Sequence, residues 1–254
     1  MNVAIHAQNL GLESAVISAI GNDERGGTLL DILQERDVNT EFITRGEHPT
    51  GTVAVDTSNP SEVSYTIDEP SAWDFISTPE ISWEPGDLLL HGSLATRNKH
   101  SYEALKALRS QASIRVFDLN LRVPFIDSKR ILELLAGTEI IKVNEEEYEL
   151  LAEWLQLNTD PELGFEAMHE TFGTQELIVT RGGQGALWVN NLGVLQSKVF
   201  TVTVKDTVGA GDSFLATMLF GISHLLEPQH TLNYAAAFGA MVASKEGANP
   251  LIST

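Results

Sequence analysis

Residues 206–214 read Asp206-Thr-Val-Gly-Ala-Gly-Asp212-Ser-Phe214, and this stretch decides the fold. An apolar, strand-like run at residues 200–204 leads into a turn holding two glycines. A helical pattern follows at once, with Phe214, Leu215, Met218, Leu219 and Ile222 on one face. Gly209 and Gly211 let the backbone turn tightly and bare its N–H groups, and the helix N-terminus adds roughly half a positive charge. Together they make an anion cradle. Asp212 lies beside it, where a carboxylate can take the proton of a hydroxyl that attacks the held anion. That arrangement suits phosphoryl transfer, in which positioning and charge stabilisation supply most of the catalysis. A lone Gly-x-Gly turn with an acidic first-turn residue is also an ordinary strand-to-helix corner; the length of the string favours the functional reading.

Outward from this corner, strand-like runs at residues 88–90, 114–117, 140–143 and 177–179 alternate with helical stretches near 101–112, 127–137, 146–156 and 162–172. Two long helices, about 212–226 and 231–245, close the chain. Such alternation predicts a three-layer α/β fold, a parallel sheet covered on both faces. At the other end, Val3, Ala4, Ile5, Ala7 and Leu10 have helical spacing, with Gly11 as the stop. A buried strand over 15–20, a turn with Gly21, Asp23 and Gly26, and a helix over 27–36 follow. Residues 51–55 and 63–67 read as a β-hairpin around a polar turn at Thr57 to Ser61. The expected division is a core of residues 1–44 and 71–254 and a hairpin lid of residues 45–70.

Ligands of such sheets gather at the carboxyl ends of the strands, and the polar clusters fall there. Asn144 and Glu147 fit a capping box at a helix start; they equally fit oxygen partners of magnesium, directly or through water, beside phosphates. The loop Thr180-Arg-Gly-Gly-Gln-Gly185 fits a turn into a strand at residues 186–189, and equally a nucleotide-side loop with Arg181 offsetting phosphate charge. Asp118-Leu-Asn-Leu-Arg122 fits a self-bonded loop or a place from which Arg122 reaches a sugar or the moving phosphate.

Composition bounds the rest. The 254 residues carry a net charge of -19, which argues against nucleic acid as a partner and requires any phosphate site to invert the field locally. There are no cysteines, so disulfides and thiolate metal sites are excluded, and a cytoplasmic setting is expected. No apolar run reaches membrane-spanning length. The seven histidines lack metal-ligand spacing, and His6, His91 and His100 read as packing or surface residues. No HExxH, nucleophile elbow or P-loop string occurs, and the glycine spacing does not fit a dinucleotide site.

Residues 206–214 resemble the C-terminal signature of the ribokinase-like (PfkB-type) carbohydrate kinases. Asn2-Val-Ala, the Gly21-Asn-Asp-x-x-Gly26 turn, Asn144-x-x-Glu147 and Thr180-Arg-Gly-Gly agree in order, so the likeness spans the chain. The opening residues and Asp118-Leu-Asn-Leu-Arg122 are most similar to fructokinases. The resemblance implies an ATP-dependent kinase of a small-molecule sugar that uses Mg2+. It implies Asp212 as catalytic base, Gly209, Ala210 and Gly211 as anion hole, Asn144 and Glu147 as the magnesium–phosphate pair, Thr180, Gly182 and Gly185 as nucleotide contacts, and Asn2 as a sugar ligand. It also implies a β lid over the sugar, through which a homodimer can form. The family pattern includes a further N-terminal segment with a central strand, a sugar-binding Asp and a Gly-Gly pair. The chain begins inside that pattern, so a gap in the sheet and an incomplete sugar site are expected. The other readings are a kinase of a nucleoside, pyridoxal or sugar acid, and a non-catalytic nucleotide-binding protein.

Overall fold

The computed structural model describes residues 1–56 and 64–251. It opens with helix α1 (Asn2–Leu10), ended by Gly11 in the left-handed region at φ 96°. Strand β1 (Ser18–Gly21), helix α2 (Glu24–Gln34) and strand β2 (Ile43–Gly46) follow. Helix α2 starts earlier than its apolar pattern because Asp23 is its N-cap, accepting from Gly26 N–H at 2.8 Å. The antiparallel strands β3 (Val53–Asp56) and β4 (Ser64–Ile67) form the expected hairpin. Its turn, expected at Thr57 to Ser61, lies outside the described residues.

Then come β5 (Leu88–Gly92), α3 (Lys99–Arg109), β6 (Ile114–Asp118), α4 (Ser128–Leu135), β7 (Ile140–Asn144), α5 (Glu145–Leu155), α6 (Pro161–Phe172) and β8 (Glu176–Thr180). Strands β9 (Ala186–Asn190) and β10 (Gly193–Gln196) and helices α7 (Ala210–Ser223) and α8 (Pro228–Ala243) complete the chain. The main sheet runs β10-β9-β8-β7-β6-β5. Strands β5 to β8 are parallel, as expected; β9 and β10 are antiparallel. The cause is local: residues 181–185 form a tight turn, and a turn of that length can only return the chain antiparallel. Among the described residues β1 and β2 form a separate parallel pair, and β5 ends the main sheet.

One expected strand is absent. Residues 200–204 carry no ladder, and Val202 and Val204 are exposed. The edge of β9 is already taken by β10, and this apolar run crosses from β10 to α7 without a partner strand among the described residues.

The pleat of the sheet sorts its side chains into two cores. Phe117, Ile141, Val143, Leu177 and Val179 face α3 to α6, meeting Leu105, Leu134, Leu151 and Met168. Val116, Ile140 and Ile178 face the other way, meeting Val3 and Ala7 of α1, Phe214, Leu215 and Met218 of α7, and Leu232 of α8. A small third cluster, Ile5, Leu33 and Val38, ties α2 to α1. Among the described residues no helix is long and apolar enough to cross a membrane.

Strand β5 buries His91, whose Nε2 accepts from Arg109 Nη1 at 2.7 Å. Arg109 also donates to the carbonyls of Leu134 and Ala136, joining α3, α4 and the sheet. Burial, and then the Arg109 charge, depress the imidazole from 6.5 to about 3. The unfolded chain therefore binds this proton below pH 6.5 while the folded chain refuses it until about pH 3. Stability is complete above the upper value and falls with acid through that window. Urea unfolding from pH 7 down to about pH 5, above the range where most carboxylates titrate, should show a loss of up to about 1.4 kcal/mol per pH unit from this group. His91→Gln should remove that component.

Candidate active site

The glycine corner is built by packing. Gly209 is the N-cap of α7 at φ 82°, and a Cβ there would stand 2.3 Å from the carbonyl oxygen of Ala248. Only glycine fits both constraints. Gly211 differs. It is an exposed first-turn residue outside the left-handed region, and a Cβ there would meet Lys142 Nζ at 3.7 Å, an ordinary contact. The tight turn therefore rests on Gly209, and Gly211 keeps the helix mouth open. Ala210 N–H turns back to Thr207 O at 3.3 Å. The amides of Gly211 and Asp212 belong to a first turn without intrahelical acceptors.

Asp212 is half-buried beside this mouth, and its Oδ2 accepts from Asn2 Nδ2 at 2.8 Å. Asn2 Oδ1 in turn accepts from Asn249 Nδ2 at 2.9 Å. The loop that carries Asn249 is stitched down on several sides. His6 Nε2 donates to Ala248 O at 2.9 Å, Arg36 Nη2 to Asn249 O at 3.2 Å, and Gly247 N–H to Asp206 Oδ2 at 3.1 Å. Three distant segments thus converge on one carboxylate: the start of α1, the start of α7 and the loop after α8.

Below the corner lie the strand ends. Register places Asp118 beside Lys142, and Asn144 beside Thr180. Lys142 Nζ donates to Asp118 Oδ1 at 2.8 Å, and both residues are buried. Burial alone would lower the ammonium; Asp118, then Glu147 and Asp212, outweigh it and hold the group above the ordinary lysine range. Asp118 is thus the counter-charge of Lys142 rather than a self-bonded loop residue.

Asn144 and Glu147 form a complete capping box: Asn144 Oδ1 accepts from Glu147 N–H at 2.8 Å, and Glu147 Oε2 from Asn144 N–H at 2.9 Å. Glu147 Oε1 also accepts from Leu121 N–H at 2.8 Å, pinning the loop after β6 to α5. Both carboxylate oxygens are therefore engaged by backbone. Each retains a second lone pair, which suits a metal-bound water better than a direct bond. Among the described residues no group of three His, Cys, Asp or Glu could cage a metal. The donor set fits magnesium carried mainly by phosphates and water.

The remaining candidates are further out. Thr180 Oγ1 donates to Val143 O at 3.3 Å. Residues 182–184 form a short 3₁₀ turn closed by Arg181 N–H to Gly185 O at 2.8 Å, and a Cβ on Gly182 would enter open space. Arg181 Nη2 donates to the nearby Gln184 O at 3.4 Å. Arg122 Nη1 donates to Leu121 O at 2.8 Å, beside the loop that Glu147 holds.

The family model for pfkB family carbohydrate kinases matches residues 1–254. The chain belongs to that family. Kinases of this family are phosphotransferases with sugar acceptors. This pfkB-family kinase is 28% identical over 265 residues to a fructokinase of Escherichia coli, covering 97% of the chain and 85% of that protein. It superposes on an uncharacterized sugar kinase of Pyrococcus horikoshii solved in complex with ATP, with a TM-score of 0.78 and 26% identity over 98% of the chain and 82% of that structure. A fructokinase of Vibrio cholerae, solved with fructose, ADP and calcium, shares the fold with a TM-score of 0.83 at 24% identity, over 98% and 85% of the two chains.

Three contributors to this kinase's site escaped the sequence reading: Lys142, Ala248 and Asn249. Lys142 had a signal, a lone cation inside the apolar strand Ile-Ile-Lys-Val-Asn. The loop at 248–249 had none, because only the tertiary fold brings it over Gly209.

The two glycines should separate on substitution. Gly209→Ala combines left-handed strain with a backbone clash and should destabilise the fold by roughly 2 kcal/mol or more. Gly211→Ala should leave stability within about 0.5 kcal/mol of the parent. Urea denaturation of both variants checks this; equal losses would contradict the assignment.

Proposed function

We propose that the chain is an ATP-dependent sugar kinase with a fructose-like ketose as acceptor. The observation that carries this reading is the Asp212 carboxylate, oriented by Asn2, in the first turn of a helix whose open mouth lies above a buried ammonium. Likeness to fructokinases, and to relatives solved with ATP or with fructose and ADP, supports the choice of substrates.

In the proposed reaction the terminal phosphate rests against the Gly211 and Asp212 amides. Asp212 takes the proton of the acceptor's primary hydroxyl. That oxygen attacks the γ-phosphorus, the bond to the bridging oxygen breaks, and ADP leaves with its electron pair. Gly209 shapes the corner, and with Ala210 it would complete the backbone seat for the phosphate. Magnesium would neutralise phosphate charge, with Asn144 and Glu147 holding its water shell. Thr180 and the backbone of 182–185 would flank the nucleotide, with Arg181 at the rim. Asn2 and Arg122 would face the acceptor, and the β3–β4 hairpin would close over it and offer its edge to a second copy.

Asp212→Asn keeps the shape and an oxygen that accepts from Asn2 while removing the base. Turnover should fall by about 10² to 10⁴ with little change in ATP affinity. Coupled ADP release across ketoses, aldoses, nucleosides, pyridoxal and sugar acids tests the acceptor. Release with fructose above the others supports the reading, and preference for a nucleoside, pyridoxal or sugar acid replaces the ketose assignment. Near-normal turnover in the Asp212 variant removes that residue from its role.

A further inference from the structure

Lys142 has no part in the reaction just described, yet its position is expensive. Burying an ammonium opposes folding unless it is paired, and an apolar chain of similar length usually serves a core at least as well. Its strand uses the opposite choice two residues earlier, where Ile140 faces the same side and packs with the α7 core. The pleat then carries Lys142 to the carboxyl edge, under the first turn of α7, with its Nζ 3.7 Å from where a Gly211 side chain would begin. Asp118 fixes the ammonium at 2.8 Å, but Glu147 and Asp212 also act on it. One carboxylate therefore pairs with the cation and two further acidic charges bear on it, at the spot where the proposed reaction adds a triphosphate, in a protein of net charge -19. Arg181 and Arg122 instead make contacts to loop carbonyls.

We propose that Lys142 is the fixed counter-charge of the phosphate seat, a positioning residue that keeps the mouth of α7 attractive to polyphosphate, with Asp118 holding its ammonium in place. The proposal rests on reading that mouth as the phosphate seat. Because the ammonium is buried, its effect is screened weakly by salt, unlike that of a surface lysine.

The test is a binding ladder. Adenosine, ADP and ATP are each titrated calorimetrically into the intact chain and into Lys142→Met, at constant magnesium and at two salt concentrations. The loss should grow with phosphate number: within about twofold for adenosine, about tenfold for ADP and up to about a hundredfold for ATP, at both salt levels. Lys142→Arg, which keeps the charge, should retain most of the ladder. Since Lys142→Met leaves Asp118 buried without its partner, the double variant Lys142→Met with Asp118→Leu is measured beside it to restore folding; a graded loss should persist there. An equal loss for all three ligands, or none, in the folded variants overturns the role of Lys142 alone. If the unmodified chain binds no ATP, the phosphate seat falls and this inference with it.

Discussion

The contact on which the site depends is backbone against backbone: the carbonyl of Ala248 lies where a side chain on Gly209 would have to go. That closeness sets the angle at which α7 leaves its turn. It closes the Cβ side of Gly209. It also brings Asn249 within reach of Asn2, and through Asn2 to Asp212. A shift of the loop after α8 would move the Asp212 carboxylate and the helix mouth together, so the two form one mechanical unit.

The buried ion pair below has the complementary task. Lys142 and Asp118 stand side by side on neighbouring strands, where sheet register fixes their spacing. On the same face, one step lower, Val116 and Ile140 seal the interface with α7. A polar layer is tolerable at the strand ends because α7 begins there and leaves donors exposed, whereas further down the helix has none to offer. The sheet thus changes from apolar support to charged floor over two residues.

Much of this was legible in the chain. The parallel strands, their helices and the corner at 206–214 follow from local pattern, since each is fixed by residues adjacent in sequence. The run at 200–204 misled because alternation describes which faces are apolar and not whether a neighbouring edge is free. The strand after the glycine turn was read at 186–189, but its antiparallel direction was not, nor was β10. Of the two readings of Asn144 and Glu147, the structure shows the cap. A capping box is realised in full, yet its carboxylate also pins Leu121, so a structural cap organises the loop that leads to Arg122. Asn249 left no trace in the sequence, because its partner is 247 positions away.

The relay from Asn249 settles which way Asn2 faces. An ionised carboxylate only accepts, so Asn2 must turn its amide nitrogen to Asp212. Its oxygen then points away and needs a donor, which Asn249 Nδ2 supplies. The leftover acceptor, Asn249 Oδ1, is buried without a partner among the described residues. Flipping Asn249 would satisfy no one: two amide oxygens would face each other, and Asn2 would lose its anchor. One buried acceptor left unpaired, at about 1–3 kcal/mol, therefore locks two amides in a single orientation. Asp212 Oδ2 is held by that lock, and Oδ1 is the oxygen that takes the proton in the proposed reaction. For the reaction proposed above, a carboxylate free to rotate would present the wrong lone pair for part of the time; the hydrogen bonds from Asn249 to Asn2 and from Asn2 to Asp212 restrict that freedom.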